Sequence, residues 1–307
     1  MKDGARKNHS ASIRARLLAH ARENEDDFQR VITRYGIERL LFRLSQTEAE
    51  GAYILKGAML FATWPENAFR PTGDLDLLGN CNPDPAAIQN TFQEICRVDL
   101  PEDGIIFDPA SVTVEAVREA EKYQGATLRL TGTLGTAVIT VLVDIGFGDW
   151  VYPPPERQEY PSLLPDLPAP RVFMYPPETV VAEKFEALIR FAEANSRIKD
   201  FYDLWITSRT FPFEMSILVE AVLGTMHRRE TAIPVEMPVG LTEVFALVAN
   251  DRGYWTGFLR RTPPATQPPG FPQVLEELRQ FFGPVIAVLA TPEGARGRWD
   301  PDGGVWR

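Results

Sequence analysis

The stretch that most constrains this chain is residues 138–147, VITVLVDIGF. β-branched residues crowd a helix and suit a pleated strand, and so continuous a run reads as a central strand of a sheet. Just before it, residues 127–134, TLRLTGTL, alternate polar and apolar as a half-buried strand does. Asp144 stands inside the apolar run. An unpaired buried carboxylate is costly, which leaves three readings: Asp144 sits at the strand end facing solvent, it begins and caps the Gly146–Gly148 turn, or it faces a cation. Asp149 is the lesser candidate for the cation.

Upstream, residues 53–79 read as a strand, a Lys56-Gly57 turn, an apolar helix, a loop and a second strand carrying Asp74 and Asp76. Residues two apart on a strand share a face, so these carboxylates point the same way and repel unless a hard cation such as Mg2+ lies between them. A glycine at a helix entrance lets the backbone approach a phosphate, and the helix end supplies N–H donors. Such a cradle before an Asp-x-Asp strand suggests a metal-dependent nucleotidyltransferase core. Alone, Asp-x-Asp is a weak motif that recurs by chance at strand ends.

Composition narrows the remaining classes. The chain has 307 residues, 44% hydrophobic and 24% charged, enough for a substantial core. Its net charge of −10 argues against a uniformly basic nucleic-acid coat while allowing a local basic groove. Cys81 and Cys96 are too few for a disulfide framework, and with three scattered histidines they make a zinc site a poor fit. No apolar run approaches the ~20 residues needed to cross a bilayer, and no signal peptide is visible, so a soluble cytoplasmic protein is expected.

The periodicity predicts helices over 10–24, 26–45 (interrupted near Gly36) and 84–97. Arginines 14, 16, 30, 34, 39 and 43 read as a solvated face, with RNA contact the sharper alternative. Short strands are expected at 105–107 and 111–117. The Pro-rich stretch 152–177 reads as irregular chain. Beyond it, one helix from Glu178 to Ala192 carries Lys184, and another over 197–208 carries Lys199, Asp200 and Asp203. Lys199 and Asp203, four apart, are neighbours there. Further core-facing helices are expected at 214–226, 240–250 (Leu241, Val244, Phe245, Val248) and 273–289. Arg228, Arg229, Arg260 and Arg261 could line a nucleic-acid groove, while Trp255 and Phe258 could equally pack inward. The expected divisions are 1–150 for helices and core, 151–177 for a connector, 178–290 for a helical domain and 291–307 for a loose tail.

Taken in order, Leu55-Lys56-Gly57-Ala58-Met59-Leu60, Arg70-Pro71-Thr72-x-Asp74-Leu75-Asp76, Asp144-Ile145-Gly146-Phe147-Gly148-Asp149, Tyr175-Pro176-x-Glu178-Thr179 through Lys184, and Asn195-Ser196-Arg197-x-Lys199-Asp200-Phe201-Tyr202-Asp203 resemble the AbiEii/AbiGii-type nucleotidyltransferase toxins, to which the MenT toxins are related. The resemblance spans roughly residues 10–210. It implies an α+β fold, a nucleotidyltransferase-type mixed β-sheet with flanking helices plus a C-terminal helical part. It further implies an NTP substrate, Mg2+, an RNA acceptor (tRNA in relatives) and a cognate antitoxin, while the lack of a long apolar run leads to the expectation of no membrane partner. By that resemblance Asp74 and Asp76 match the metal-binding pair, and Asp144, on its cation-facing reading, is the candidate third ligand. Asp74, Asp76, Lys184 and Asp200 are the catalytic set, and Lys56, Gly57, Thr72, Lys184 and Lys199 bind nucleotide.

Overall fold

In the computed structural model the VITVLVDIGF run is a strand near the middle of a seven-stranded sheet. The structure describes residues 2–65, 70–119, 123–191 and 197–307, so Ala192, Asn195 and Ser196 lie outside the described residues. Two units emerge. The first is residues 1–63, 72–148 and 156–174; the second is 64–71, 149–155 and 175–307.

The first unit begins with helices α1 (Lys2–Glu23) and α2 (Phe28–Leu44). Asp27 caps α2 by accepting from the Arg30 amide. Strands β1 (Tyr53–Lys56) and β2 (Asp74–Gly79), helix α3 (Pro85–Arg97), strands β3 (Ile105–Glu119), β4 (Tyr123–Leu134) and β5 (Ala137–Phe147), and the short β6 (Glu156–Glu159) and β7 (Arg171–Met174) follow. The sheet order is β3-β4-β5-β2-β1-β7-β6, with β2 parallel to β5, β1 parallel to β7 and the other pairs antiparallel. This is the α+β mixed sheet with flanking helices that the resemblance implied.

Several local expectations change. Residues 105–119 form one strand with a bulge between Asp108 and Thr113, where Ser111 Oγ accepts from the Thr131 amide. Gly36 does not interrupt α2. It lets the helix lie against β5, and a Cβ there would come within 2.8 Å of Ile139 Cγ2. The Pro-rich stretch contributes β6 and β7, because its prolines fall outside the four-residue runs that pair on the sheet edge. β5 is buried on one face only. Val141, Val143 and Ile145 face the core, while Val138 (62% exposed), Leu142 (36%) and Asp144 face out.

Arg39 and Arg43 are not part of a solvated face. Both are fully buried. Arg43 Nη1 and Nη2 donate to Asp103 at 2.6 and 3.2 Å, and the guanidinium also reaches the Val98, Arg39 and Ile105 carbonyls. Arg39 pairs with buried Glu38, which in turn accepts from Ser162 and the Leu163 amide. Buried charges persist when they are paired and hydrogen-bonded, as Arg43 is; Arg39 is held through Nη2 while its buried Nε has no hydrogen-bond partner, and the two clusters tie α2 to the segments packed against it.

The second unit is largely helical: α4 (Pro177–Arg190), α5 (Ile198–Thr210), α6 (Met215–Arg228), α7 (Glu243–Asp251), α8 (Tyr254–Arg261) and α9 (Phe271–Leu289). Strands β8 (Phe213–Glu214), β9 (Arg298–Asp300) and β10 (Val305–Trp306) make a small antiparallel sheet. Its core is aromatic. Phe185 stacks on Phe282 at 4.2 Å, and Phe271 meets Phe201 edge-on and lies tilted against Trp255. Trp255 and Phe258 pack inward, as the second of their two readings held. The chain after 291 does not fray. Trp299 is buried and donates to the Ser208 carbonyl, and Trp306 donates to the Phe281 carbonyl, so two indoles anchor a segment that has no helical period. In α7 Phe245 packs on Phe201 and Phe271 as expected, with Ala246 and Ala249 also inward, whereas Val244 (71%) and Val248 are exposed, because apolar residues line both faces of that short helix.

Asp103→Ala would strand the Arg43 guanidinium in the core. The unfolding free energy measured in urea is expected to fall by about 3–5 kcal/mol. A loss below about 1 kcal/mol would contradict the role given to this pair.

Candidate active site

Strand register brings the first group of site residues together. Lys56 on β1 is the partner of Asp76 on β2, Asp76 is the partner of Asp144 on β5, and Asp144 is the partner of Thr127 on β4. One polar row therefore crosses four strands. Asp74 stands one step further along β2 on the same face, opposite Leu142. Asp144 is not a turn cap; it is exposed to solvent three residues before the end of β5. It faces out beside Asp76, and its Oδ1 accepts from Thr127 Oγ1 at 2.8 Å.

Gly57 has an office different from the one its position suggested. Its φ of +70° lies in the left-handed region, and a Cβ on it would fall 2.0 Å from Asp76 Oδ2. Glycine is required so that the turn can close onto the Asp76 carboxylate. The run after it, Gly57–Thr63, is a 3-10 helix of seven residues rather than an α-helix, so it offers a shorter set of aligned amides than expected. Thr72 lies just before β2, its Oγ1 3.5 Å from the Asp74 amide.

Among the described residues, no group of three or more His, Cys, Asp or Glu side chains converges on a point where an ion could be held. The donor chemistry still fits Mg2+. The residues offer hard carboxylate oxygens without nitrogen or sulfur, and Mg2+ is commonly held by one or two carboxylates with substrate phosphates completing its shell.

The second group lies in the helical unit. Lys184 of α4 donates to Asp200 Oδ1 at 3.0 Å and to Asp203 Oδ2 at 2.6 Å, both on α5. Asp203 is fully buried and also takes a bidentate pair from Arg70, at 2.6 and 2.8 Å. Asp200 takes a bond from Arg197 Nε at 2.6 Å. Cations and carboxylates thus alternate: Arg197, Asp200, Lys184, Asp203, Arg70. Burial alone would raise the Asp203 carboxyl, but Arg70 and Lys184 together outweigh it and hold it down at about 2. Burial lowers the Lys184 ammonium, and Asp200 and Asp203 reverse that, leaving it above its ordinary value. Lys184 is therefore a fixed charge, not a side chain reaching for solvent. Lys199, by contrast, is exposed on the outer side of α5, and the expected Lys199–Asp203 neighbourhood gives way to the Asp203–Lys184 bridge.

Arg229 and Asp149 belong elsewhere. Arg229 is clamped by Asp149, Glu183 and Glu186, and Tyr175 Oη donates toward Asp149 and Glu183. This network ties the C-terminal end of α6 to the middle of α4, so Arg229 is not an open groove residue. Arg228, Arg260 and Arg261 are exposed.

Comparison with known proteins decides the family. The family model of the AbiEii nucleotidyl transferase toxin, of type IV toxin–antitoxin systems, matches residues 39–277. The chain belongs to the AbiEii family. It is accordingly a nucleotidyl transferase of the type IV toxin group, for which an antitoxin is the implied partner. Among solved structures, the JHP933 protein of Helicobacter pylori is similar at 11% identity, over 83% of this chain and 90% of that one, with a TM-score of 0.46. A second H. pylori protein, assigned as a nucleotidyltransferase, is 12% identical over 82% and 92%, also with a TM-score of 0.46. No curated protein sequence matches the chain significantly. Among the described residues no helix is long and apolar enough to cross a membrane.

Thr127 and Arg70 are site residues that sequence reasoning does not assign, and Asp203 is one that it assigns a different partner. Arg70 and Asp203 sit inside quoted motifs, so their types were visible; their pairing across 133 residues was not. Thr127 carries no signal beyond strand alternation.

Two outcomes test this geometry. Gly57→Ala is expected to lower stability by about 1 kcal/mol or more, since both its φ and Asp76 resist a Cβ. A urea midpoint equal to wild type would contradict the contact. Asp203 contributes stability that is present above the ordinary carboxylate value and lost as pH falls through its own lowered one. The stability gap between wild type and Asp203→Asn should therefore shrink by about 2 kcal/mol between about pH 4 and pH 2, followed by urea titration at each pH.

Proposed function

We propose that this AbiEii-family protein is a cytoplasmic, Mg2+-dependent enzyme that transfers nucleotide from an NTP to an RNA acceptor, with tRNA as that acceptor. The observation that carries the reading is the register pairing of Asp76 with Asp144, with Asp74 on the same face. Like-charged side chains set side by side disfavour one another, and a cation shared with a phosphate relieves them.

Carboxylates of this row, Asp76 with Asp74 or Asp144, would hold Mg2+ with substrate phosphates completing its shell, and the ion would supply neutralisation of the phosphate charge and polarisation of the attacking hydroxyl. Thr127 orients Asp144, and Gly57 fixes the place of Asp76. Lys56, beside Asp76, together with Gly57 and Thr72, forms the nucleotide side of the row. Lys184 is the fixed positive charge assigned to the triphosphate. Its ammonium has three donors, and Asp200 and Asp203 take two of them. Asp200 thereby acts as the positioning residue for Lys184. Exposed Lys199 is assigned a weaker, screened contribution to nucleotide binding.

The test is to incubate the protein with each α-labelled NTP, Mg2+ and either total RNA or cell protein, and follow the label. Label in RNA is expected. Label in protein instead would replace the acceptor, and nucleotide binding without any label would mark an inactive nucleotide-binding module. Asp76→Ala and Asp144→Ala are each expected to reduce transfer by about 100-fold or more while the thermal unfolding profile is kept. Full activity in Asp76→Ala would sink the metal assignment.

A further inference from the structure

The long strands β3, β4 and β5 run on past the carboxylate row, and their outer face is open. Ile106 (51% exposed), Val138 and Leu142 face outward there, with threonines 113, 127, 131, 133 and 140 on the same face, and so do the exposed carboxylates of Glu115, opposite Thr127, and Asp108, opposite Thr131. Among the described residues, one basic side chain stands on this face of the three strands: Arg129. Register places it between Thr113 of β3 and Leu142 of β5, one step along β4 from Thr127. Leu142 is itself the partner of Asp74, and Thr127 of Asp144. The guanidinium is exposed, and among the described residues no carboxylate pairs with it.

An arginine left without a carboxylate beside an acidic site calls for an anion from outside. The order across the sheet says which. Lys56 flanks Asp76 on the β1 side, and Arg129 flanks Asp144 on the β4 side. In-line transfer brings two anionic groups to the metal carboxylates from opposite directions, the triphosphate and the acceptor strand. The Lys56 side is the nucleotide side of the proposed function, so the Arg129 side is left for the acceptor. A planar guanidinium suits a phosphodiester, which it can grip with two parallel bonds.

We infer that Arg129 binds the last phosphodiester of the acceptor RNA and so sets its 3′-hydroxyl beside Asp144. The inference rests on the transfer reading above and adds to it the side of approach and the chemical handle. The open face of Thr131, Thr140 and Val138 then receives the nucleotides upstream. A protein hydroxyl, which carries no neighbouring phosphate, gains nothing from Arg129.

The experiment has two arms, so that failure of the transfer reading and failure of this inference are told apart. In the first, a fluorescein-labelled single-stranded RNA with a free 3′-hydroxyl is titrated with wild type and with Arg129→Ala, with fluorescence anisotropy as the readout and no NTP present. Affinity is expected to drop about ten-fold, and the slope of log affinity against log salt to fall by about 0.7, the value for one lost phosphate contact on a single strand. Arg129→Lys should restore part of the affinity. An RNA whose last phosphodiester is a neutral methylphosphonate should bind both proteins alike. In the second arm, transfer kinetics should show KM for the RNA raised about ten-fold in Arg129→Ala, with KM for the NTP and kcat little changed. Equal RNA affinity in wild type and Arg129→Ala, or a rise confined to KM for the NTP, would overturn the inference. RNA binding that follows the expected pattern without any transfer would overturn the transfer reading alone. No RNA binding by wild type would overturn both.

Discussion

The parallel pairing of β2 on β5 is the constraint on which the sheet unit's chemistry depends. A strand shifted by one residue turns every side chain to the opposite face. Here that slip would drive Asp74 and Asp76 into the core and bring Leu75 and Leu77 out to water. The hydrophobic pattern forbids it: Leu75, Leu77, Val141, Val143 and Ile145 are all buried, so the apolar side of both strands locks the register. The carboxylates are thus held together, against their repulsion, by the burial of their neighbours in sequence. About 2 kcal/mol for each fully buried leucine or valine outweighs the repulsion of two exposed charges in water, about 1 kcal/mol at contact distance.

The helical unit solves a different problem. Lys184 must keep its charge in a place that is mostly dry, and one carboxylate would not suffice. Asp203 holds it, Arg70 holds Asp203, and Asp200 adds a second acceptor backed by Arg197. Such a chain is rigid because each member is satisfied by the next, and it fails as a whole when one is removed. The Arg43–Asp103 pair applies the same rule in the sheet unit, where it serves packing rather than chemistry, whereas Arg39, paired with Glu38, keeps a buried Nε without a hydrogen-bond partner.

How much of this could be read from the residues follows from what each signal reports. The β5 run announced a strand through β-branching, and Asp-x-Asp announced two carboxylates on one face; both depend only on the period of a strand. The third carboxylate was suspected from the cost of burying it, yet its neighbour Asp76 could not be named, because pairing between strands 68 residues apart leaves no local mark. Lys184 and Asp200 were found as members of a family motif. Asp203 was misjudged: helical spacing pairs it with Lys199, but the α4–α5 contact turns it inward. Val244 and Val248 misled for a related reason, since the apolar stripe of α7 runs round the helix and alanines join Phe245 at the inner positions. The closing residues 291–307 looked unstructured because hairpins anchored by two tryptophans have no period to detect.

The near-contact of Gly57 with the Asp76 carboxylate has a consequence for how this site can change. There is no slack between them, so position 76 is bounded from above as well as defined by its charge. A glutamate would keep the charge and add one methylene, and that methylene would have to displace the turn after β1. The glycine and the aspartate, 19 residues apart, therefore behave as one composite residue. Neither can drift without the other, and the spacing between nucleotide turn and metal ligand is inherited as a single part.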